Sequence, residues 1–141
     1  MWIKSYSNIY QVVKKENIWK LWVDVNNWHK WDPDIEYGRI DEPFAVGSHF
    51  IFKPKGMSEV KLKLIEVEEM HKYTDYFRFW GASLYGTHEM EEVSEGLKLT
   101  TTVKVSGLLK LIWIKLVAQD IAKTLPEQMD ALVNLARHQN G

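Results

Sequence analysis

The segment GLKLTTTVKVS, residues 96–106, alternates apolar and polar side chains along its whole length. A period of two residues is typical of a β-strand, in which successive side chains point to opposite faces. One face carries Leu97, Leu99, Thr101, Val103 and Val105, and the other carries Lys98, Thr100, Thr102 and Lys104. One dry face and one wet face are common in antiparallel sheets. The segment therefore predicts a sheet that covers a core on one side.

Six further segments have strand-like patterns and are separated by turn residues or helical stretches. In 59–69 the alternation shifts at Ile65 and Val67, which predicts a β-bulge and a bend. From residue 35 onwards the strands follow one another through short turns, as in a meander. The predicted strands are 2–11, 35–40, 47–53, 59–69, 72–80 and 83–93.

Two regions have helical spacing instead. Apolar residues between Glu16 and Val25 predict an amphipathic helix of about three turns. The polar, proline-containing stretch 26–34 ends it and leaves room for one short second helix. A long helix is predicted from near Gly107 to about His138, with one apolar stripe formed by Val117, Ile121, Leu125, Met129, Leu132, Val133 and Ala136.

Composition excludes several classes of protein. The 141 residues predict one domain, 1–141, and the net charge of −1 gives no electrostatic case for nucleic acid. The chain has no cysteine and no metal-ligand spacing, so neither a disulfide nor a metal site is expected. The apolar stretch 108–118 is interrupted by lysines and is too short to span a bilayer. No signal peptide is recognisable, and a cytoplasmic location without stable membrane insertion is expected.

Aromatic residues are unusually frequent, with seven Trp, six Tyr and five Phe. Trp22, Trp28 and Trp31 fall within ten positions beside a turn. Large rigid rings fill cores. They also line ligand pockets, because an aromatic side chain has few rotatable bonds and loses little conformational freedom when it contacts a ligand. The sequence leaves both interpretations open.

His88 is the most informative polar residue. Alternation along 83–93 places it on the face of Leu84, Gly86 and Met90, and the glutamates fall mainly on the other face. We therefore predict that His88 points inward between apolar neighbours. It is either a core histidine bonded to a neighbour or a pocket group that orients a ligand or moves a proton.

The strand 72–80 offers two faces. Tyr73, Asp75, Phe77 and Phe79 share one, and Arg78 lies on the other. The first face is favoured as the inner one, which leaves Arg78 in solvent; the reverse would make Arg78 a buried anion-binding group. In the same way Phe50 and Phe52 are expected to face inward. The complete set of candidate ligand-binding residues is Trp31, Tyr37, Phe50, Phe52, Phe77, Phe79, His88 and Met90.

Three motifs together resemble the polyketide-cyclase/dehydrase-like branch of the START-type helix-grip superfamily, often called SRPBCC. They are NIWKLWVDVNNWHKWDP after the first strand, EGLKLTTTVKVSGLL, and LPEQMDALVNLA. The resemblance implies an α+β fold with a curved antiparallel sheet of about seven strands, wrapped around a long C-terminal helix. It also implies two short helices after the first strand and a deep hydrophobic cavity. Trp19 and Trp22 would then be core, with Trp28 and Trp31 at the cavity mouth.

The function expected from this resemblance is the binding of a small hydrophobic or amphipathic molecule, such as a lipid, a polyketide or an isoprenoid, without a cofactor. One alternative is a cyclase or dehydratase in which His88 is the general acid/base and Tyr37 or Arg78 stabilises an enolate. Another is a protein-interaction module, which an apolar outer face on the last helix and a filled cavity would favour. Trp113 and Ile114 would fit a homodimer face or a lid, and simple burial is the favoured alternative for them.

Overall fold

The computed structural model of the chain describes residues 1–138. Residues 139–141, the end of the predicted single domain, lie outside the described residues. The strands form one antiparallel sheet in the order β1-β7-β6-β5-β4-β3-β2, so the predicted sheet is confirmed. They are β1 (Trp2–Tyr10), β2 (Ile35–Arg39), β3 (His49–Pro54), β4 (Val60–Glu68), β5 (Lys72–Phe79), β6 (Ala82–Val93) and β7 (Gly96–Ser106).

Two short helices follow β1, as predicted, and a long helix ends the described chain. The short ones are α1 (Lys15–Val23) and a 3-10 helix (Val25–Lys30). The long one, here called the C-terminal helix, consists of α2 (Lys110–Trp113), a π-helical turn (Ile114–Ala118) and α3 (Gln119–His138). Among residues 1–138, no helix combines the length and apolar character needed to cross a membrane.

The inner face of the sheet and the C-terminal helix enclose the core. All five inward residues predicted on β7 are buried, so its dry face is confirmed. The predicted helix stripe is also buried from Leu125 to Ala136. Towards the start of the helix the prediction is less accurate. The stripe residues Val117 and Ile121 are only half-buried, whereas Ile114 and Ala118, which are not in the predicted stripe, are buried. The π turn explains this difference, because its wider hydrogen-bonding pattern re-aims the side chains.

Two register shifts bend the sheet. The β4–β5 pairing shifts between Leu64 and Glu66, which confirms the bulge predicted around Ile65. The β2–β3 pairing shifts between Ile35 and Tyr37. This second irregularity is not visible in the sequence pattern of β2, and it affects one of the candidate residues described below.

Polar contacts hold the last turns of α3 against the start of the chain. The Tyr10 hydroxyl donates to the Asp130 carboxylate over 2.7 Å, and burial together with this carboxylate raises the pKa of Tyr10. The Asn17 amide donates to the carbonyl of Ala136 over 3.2 Å. The Arg137 guanidinium donates to the carbonyl of Gln11. The final half of the C-terminal helix is therefore fixed in position over the sheet.

The junction between β7 and α2 is equally close-packed. Gly107 has a φ of 113°, and a Cβ at this position would lie 2.6 Å from the carbonyl oxygen of Gly81. The Leu109 amide donates to that same oxygen over 2.9 Å. The strand-to-helix junction and the β5–β6 turn therefore hold each other in place.

Candidate functional site

A small cavity lies between the inner face of the sheet, the Trp31 segment and α3. Its volume is about 20 Å³, space for roughly one water molecule. We call it the central cavity. Side chains fill most of the deep cavity that the resemblance implies. The lining residues are Trp22, Trp31, His88, Leu99, Thr100, Thr101, Gln128, Met129 and Leu132.

His88 points into this space, as its position in β6 predicts. It lies directly opposite Tyr73 in the β5–β6 register. The two rings stack at a centroid distance of 4.5 Å and an angle of 14°, and the Trp22 ring approaches edge-on at 6.2 Å. The imidazole is therefore held between aromatic side chains while one edge faces the cavity.

Asp75 is the acidic neighbour of His88, with 3.8 Å between its Oδ2 and the Nε2 of the imidazole. Asp75 is buried and pairs with Gly86 across the strands. A Cβ on Gly86 would lie 2.8 Å from Oδ1 of Asp75, so the glycine leaves the room that the carboxylate occupies. The alternation in β5 predicts that Asp75 lies on the inner face. Its closeness to His88 is not predicted, because it depends on the register that pairs Asp75 with Gly86, two residues before His88.

Trp31, which lines the cavity, contains a buried polar atom without a partner in the described part of the chain. Its side chain is half-buried, and its Nε1 is buried without a hydrogen-bond partner among residues 1–138. Buried N–H groups are normally paired, because an unpaired one costs about 1–3 kcal/mol. Because this nitrogen has almost no accessible surface, an acceptor can reach the indole N–H only when the cavity wall moves.

Asp32 connects the Trp31 segment to α3. Its Oδ2 accepts a hydrogen bond from Nε2 of Gln128 at 2.7 Å, and its Oδ1 accepts the backbone N–H of Asp34 at 2.9 Å. Asp32 is buried. The Asp32–Gln128 bond closes the cavity beside Trp31, and neither residue was among the sequence candidates. The pattern could have suggested only a turn at Asp32-Pro33.

Asp32→Asn is expected to remove a contribution to stability that falls as the pH rises. Burial raises the pKa of Asp32 above its ordinary 3.8 and outweighs the two hydrogen bonds, which lower it. The folded protein therefore holds this proton more tightly than the unfolded chain, and the stability contributed by Asp32 falls as the pH rises through the raised pKa. Urea unfolding of both proteins between about pH 4 and pH 7 tests this. The free energy of unfolding of the wild type minus that of the variant should decrease with pH; an increase would contradict it.

The positions predicted for Trp19 and Trp22 are confirmed, and the position predicted for Trp28 is wrong. Trp19 and Trp22 are buried in the core, as expected, and Trp22 also reaches the cavity. Trp28 does not lie at a cavity mouth. It is buried against Phe50, and its Nε1 donates to the carbonyls of Leu21 and Trp22. The reason is the tight 3-10 helix, which folds this ring back under α1.

The candidate phenylalanines and Met90 occupy the core instead of the central cavity. Phe50 and Met90 are buried, and Phe52 and Phe77 are partly buried against the same core cluster. Phe79 stacks on Trp113 at 4.5 Å near the start of the C-terminal helix. Their inward orientation agrees with the pattern, although none of them lines the cavity within the described part of the chain. Their role in binding stays a prediction.

Two polar candidates point away from the cavity. Tyr37 is exposed and its hydroxyl donates to Glu59, against the expectation that it serves the site. The register shift after Ile35 is the physical reason, because it interrupts the alternation along β2. Arg78 is exposed, so the favoured orientation of β5 is confirmed and the buried-cation alternative is wrong. Within residues 1–138, no three His, Asp or Glu side chains are grouped as metal ligands would be.

A curved seven-stranded antiparallel sheet, two short helices after the first strand and a long C-terminal helix define a helix-grip protein. Solved structures agree with this class. A hypothetical protein from Helicobacter pylori has a TM-score of 0.76 at 16% identity, covering 95% of this chain and 87% of that one. Norcoclaurine synthase from Thalictrum flavum, in complex with dopamine and hydroxybenzaldehyde, has a TM-score of 0.71 at 16% identity, covering 99% and 90%.

The di-domain ARO/CYC protein BexL from the BE-7585A biosynthetic pathway has a TM-score of 0.73 at 14% identity. It matches 95% of this chain, which spans 46% of the BexL chain. At such identities the likeness establishes the fold alone, and it confirms the helix-grip fold that the resemblance implied. No family model and no curated protein matches the sequence.

Proposed function

We propose that the protein binds a small amphipathic molecule between the sheet and the C-terminal helix, with a polar atom of the ligand accepting the indole N–H of Trp31. The observation that carries this proposal is the buried, unpaired Nε1 of Trp31, a residue that lines the central cavity in the described part of the chain. A carbonyl, hydroxyl or ether oxygen would satisfy this donor. Thr101, His88 and Gln128 supply further polar groups around the same space.

The ligand would gain affinity from the apolar part of the wall. Leu99, Met129 and Leu132 border the cavity, and Met129 is a flexible side chain that adapts to different shapes. Apolar contact contributes roughly 25 cal/mol per Å² before the costs of binding are subtracted. Lipids, polyketides and isoprenoids combine such apolar surface with a few oxygen atoms.

Binding of a molecule larger than water requires the wall to open, because the cavity holds only about 20 Å³. The Asp32–Gln128 hydrogen bond is the contact that would open, since it joins the Trp31 segment to α3 beside the cavity. Opening lowers the apparent affinity by the fraction of molecules in the open state. The protein would therefore select ligands whose contacts exceed the cost of separating this loop from the helix.

Trp31→Phe tests the proposal with a change of one polar group. The phenyl ring keeps the aromatic contact with Trp28 at this position but lacks the indole N–H. We expect affinity for an amphipathic probe, 1-anilinonaphthalene-8-sulfonate, to fall about fivefold to tenfold, as measured by fluorescence titration. Tyr37→Phe is the matched control, because it removes one polar hydrogen from an exposed aromatic ring away from the cavity, and it should leave the affinity unchanged.

His88→Ala should leave the fold intact and weaken or reorient binding of the same probe. Loss of folding without a change in affinity would identify His88 as a core residue only.

Native mass spectrometry of the purified protein, followed by extraction, would reveal a molecule that co-purifies. A clean apo mass together with failure to bind a broad set of apolar probes would reject the binding proposal.

One observation favours a second candidate, an enzyme of the cyclase or dehydratase type. Asp75 lies 3.8 Å from His88, so the imidazole has an acidic neighbour that could orient it for proton transfer. Tyr73 cannot serve as a base, because burial and the nearby Asp75 and Asp32 raise its pKa well above its usual range. Asp75→Asn would then abolish turnover while it leaves probe binding within about twofold.

The protein-interaction alternative also has support. The cavity is largely filled, and the outer face of the first turns of the C-terminal helix is apolar and exposed. These are the two features that would favour this class. The unpaired indole N–H keeps ligand binding first, because a core that served only for stability would gain from pairing it.

A further inference from the structure

An exposed apolar surface lies at the start of the C-terminal helix, away from the central cavity. We call it the apolar patch. Its residues range in exposure from 51% for Ile112 to 100% for Leu108. Such a concentration of large exposed side chains marks an interaction surface. The patch consists of Trp80, Leu108, Leu111, Ile112 and Leu116.

The patch is held in a defined shape. The carbonyl of Trp80 accepts the indole N–H of Trp113 over 2.8 Å, and the Trp113 ring stacks on Phe79. The Leu109 amide donates to Gly81. The turn that presents Trp80 and the helix that presents the leucines are thereby joined into one protruding end of the molecule.

Charge is distributed unevenly along the sheet. The segments that form this end, residues 1–5, 78–86 and 104–119, contain no Asp or Glu. Arg78, Lys110 and Lys115 lie around the patch, and the first carboxylate along the helix is that of Asp120, four residues after Leu116. The acidic residues of β6 and its following turn, Glu89, Glu91, Glu92 and Glu95, lie towards the opposite end. Since β6 has 12 residues, the two ends are about 35 Å apart, well beyond the screening length.

We propose that the apolar patch docks the protein reversibly on an anionic phospholipid bilayer. The lysines and the arginine would meet lipid phosphates and carboxylates, and Trp80 and the leucines would enter the headgroup and acyl boundary. Tryptophan and basic residues prefer this interface. The proposal concerns a surface and is independent of the central cavity.

Charge complementarity selects a bilayer over a second copy of the chain. In a two-fold contact through this patch, Lys110 and Lys115 would approach the same cations of the partner. Residues 104–120 offer one carboxylate, Asp120, against these two lysines in each copy, so the contact would keep an excess of positive charge. The shape of the patch also favours a bilayer over a second copy of the chain. Leu108 is fully exposed and Trp80 is 82% exposed, so these side chains protrude, and a lipid surface accepts them without a matching pocket.

The test is cosedimentation of the full chain with vesicles. We expect binding to vesicles of equimolar phosphatidylcholine and phosphatidylserine, much weaker binding to phosphatidylcholine alone, and loss of binding at high salt. Lys110→Ala combined with Lys115→Ala should lower the partition coefficient about 30-fold. Leu111→Ser and Leu116→Ser should each lower it about tenfold.

Matched controls use residues far from the patch. Lys20→Ala combined with Lys98→Ala removes two exposed lysines, and Val46→Ser removes an exposed apolar side chain; both should leave binding unchanged. Thermal unfolding establishes that every variant is folded. The proposal is overturned if the folded wild type does not bind the mixed vesicles, or if the controls lose as much binding as the patch variants. It is also overturned if sedimentation shows a dimer that the patch variants dissociate.

Discussion

Trp22→Ala is expected to lower the free energy of unfolding by about 3–5 kcal/mol. The Trp22 side chain is 3% exposed. Its ring packs edge-on against Tyr73 at 5.3 Å and against Trp19 at 6.1 Å, so it joins α1 to the inner face of the sheet. Removing it deletes a large apolar surface and leaves a void beside His88. Urea denaturation followed by circular dichroism measures the loss.

Trp80→Ala is the control for the same change of residue type. Trp80 is exposed, and its hydrogen bond to Trp113 uses the backbone carbonyl, which the variant keeps. We expect a change below about 0.5 kcal/mol. Equal losses in the two variants would mean that Trp22 is not a principal contact between α1 and the sheet.

Gly107→Ala should destabilise the protein by about 3 kcal/mol or more. Its φ of 113° lies in the region that side chains rarely adopt. In addition, the new Cβ would lie 2.6 Å from the carbonyl oxygen of Gly81 and 2.8 Å from Cα of Ala82. Both obstacles are backbone atoms that cannot rotate away. Strain and collision therefore add together, and urea denaturation should show the sum.

Gly47→Ala separates these two causes. Gly47 has a φ of 95°, but nothing lies within 4 Å of the position of its Cβ. This variant should lose only the strain contribution, about 1–2 kcal/mol. If Gly107→Ala costs no more than Gly47→Ala, the strand-to-helix junction can relax, and the close approach between Gly107 and Gly81 is not a fixed feature.

The sheet could be predicted because its strands keep a regular period. The predicted bounds of 96–106 coincide with β7, and the shift at Ile65 gave the bulge in β4. The orientation of β5 followed from comparing its two faces. Where a strand contains a bulge that leaves no trace in its pattern, as between Ile35 and Tyr37, the same reasoning placed a side chain on the wrong side.

The candidate site was predicted only in part. Trp31 and His88 line the central cavity, whereas Asp75 and Gln128 became visible as neighbours of this site only in three dimensions. Asp75 reaches His88 because β5 and β6 pair in one particular register, and Gln128 meets Asp32 across 96 positions of sequence. Cavity volume depends on how all the wall side chains fill space, so alternation carries no information on it.

The position of β1 in the sheet also determines the order in which the protein can assemble. Trp2 pairs with Val105 and Tyr10 pairs with Leu97, so β1 finds its partner in the sheet only when β7, which is made later, has left the ribosome. The hairpins from β2 to β7 are local and close early, whereas β1 must close a loop of nearly the whole sheet, which is slow. Until then the edge of β7 is open to pairing with other chains. We therefore expect the docking of β1 to be the step at which folding competes with aggregation.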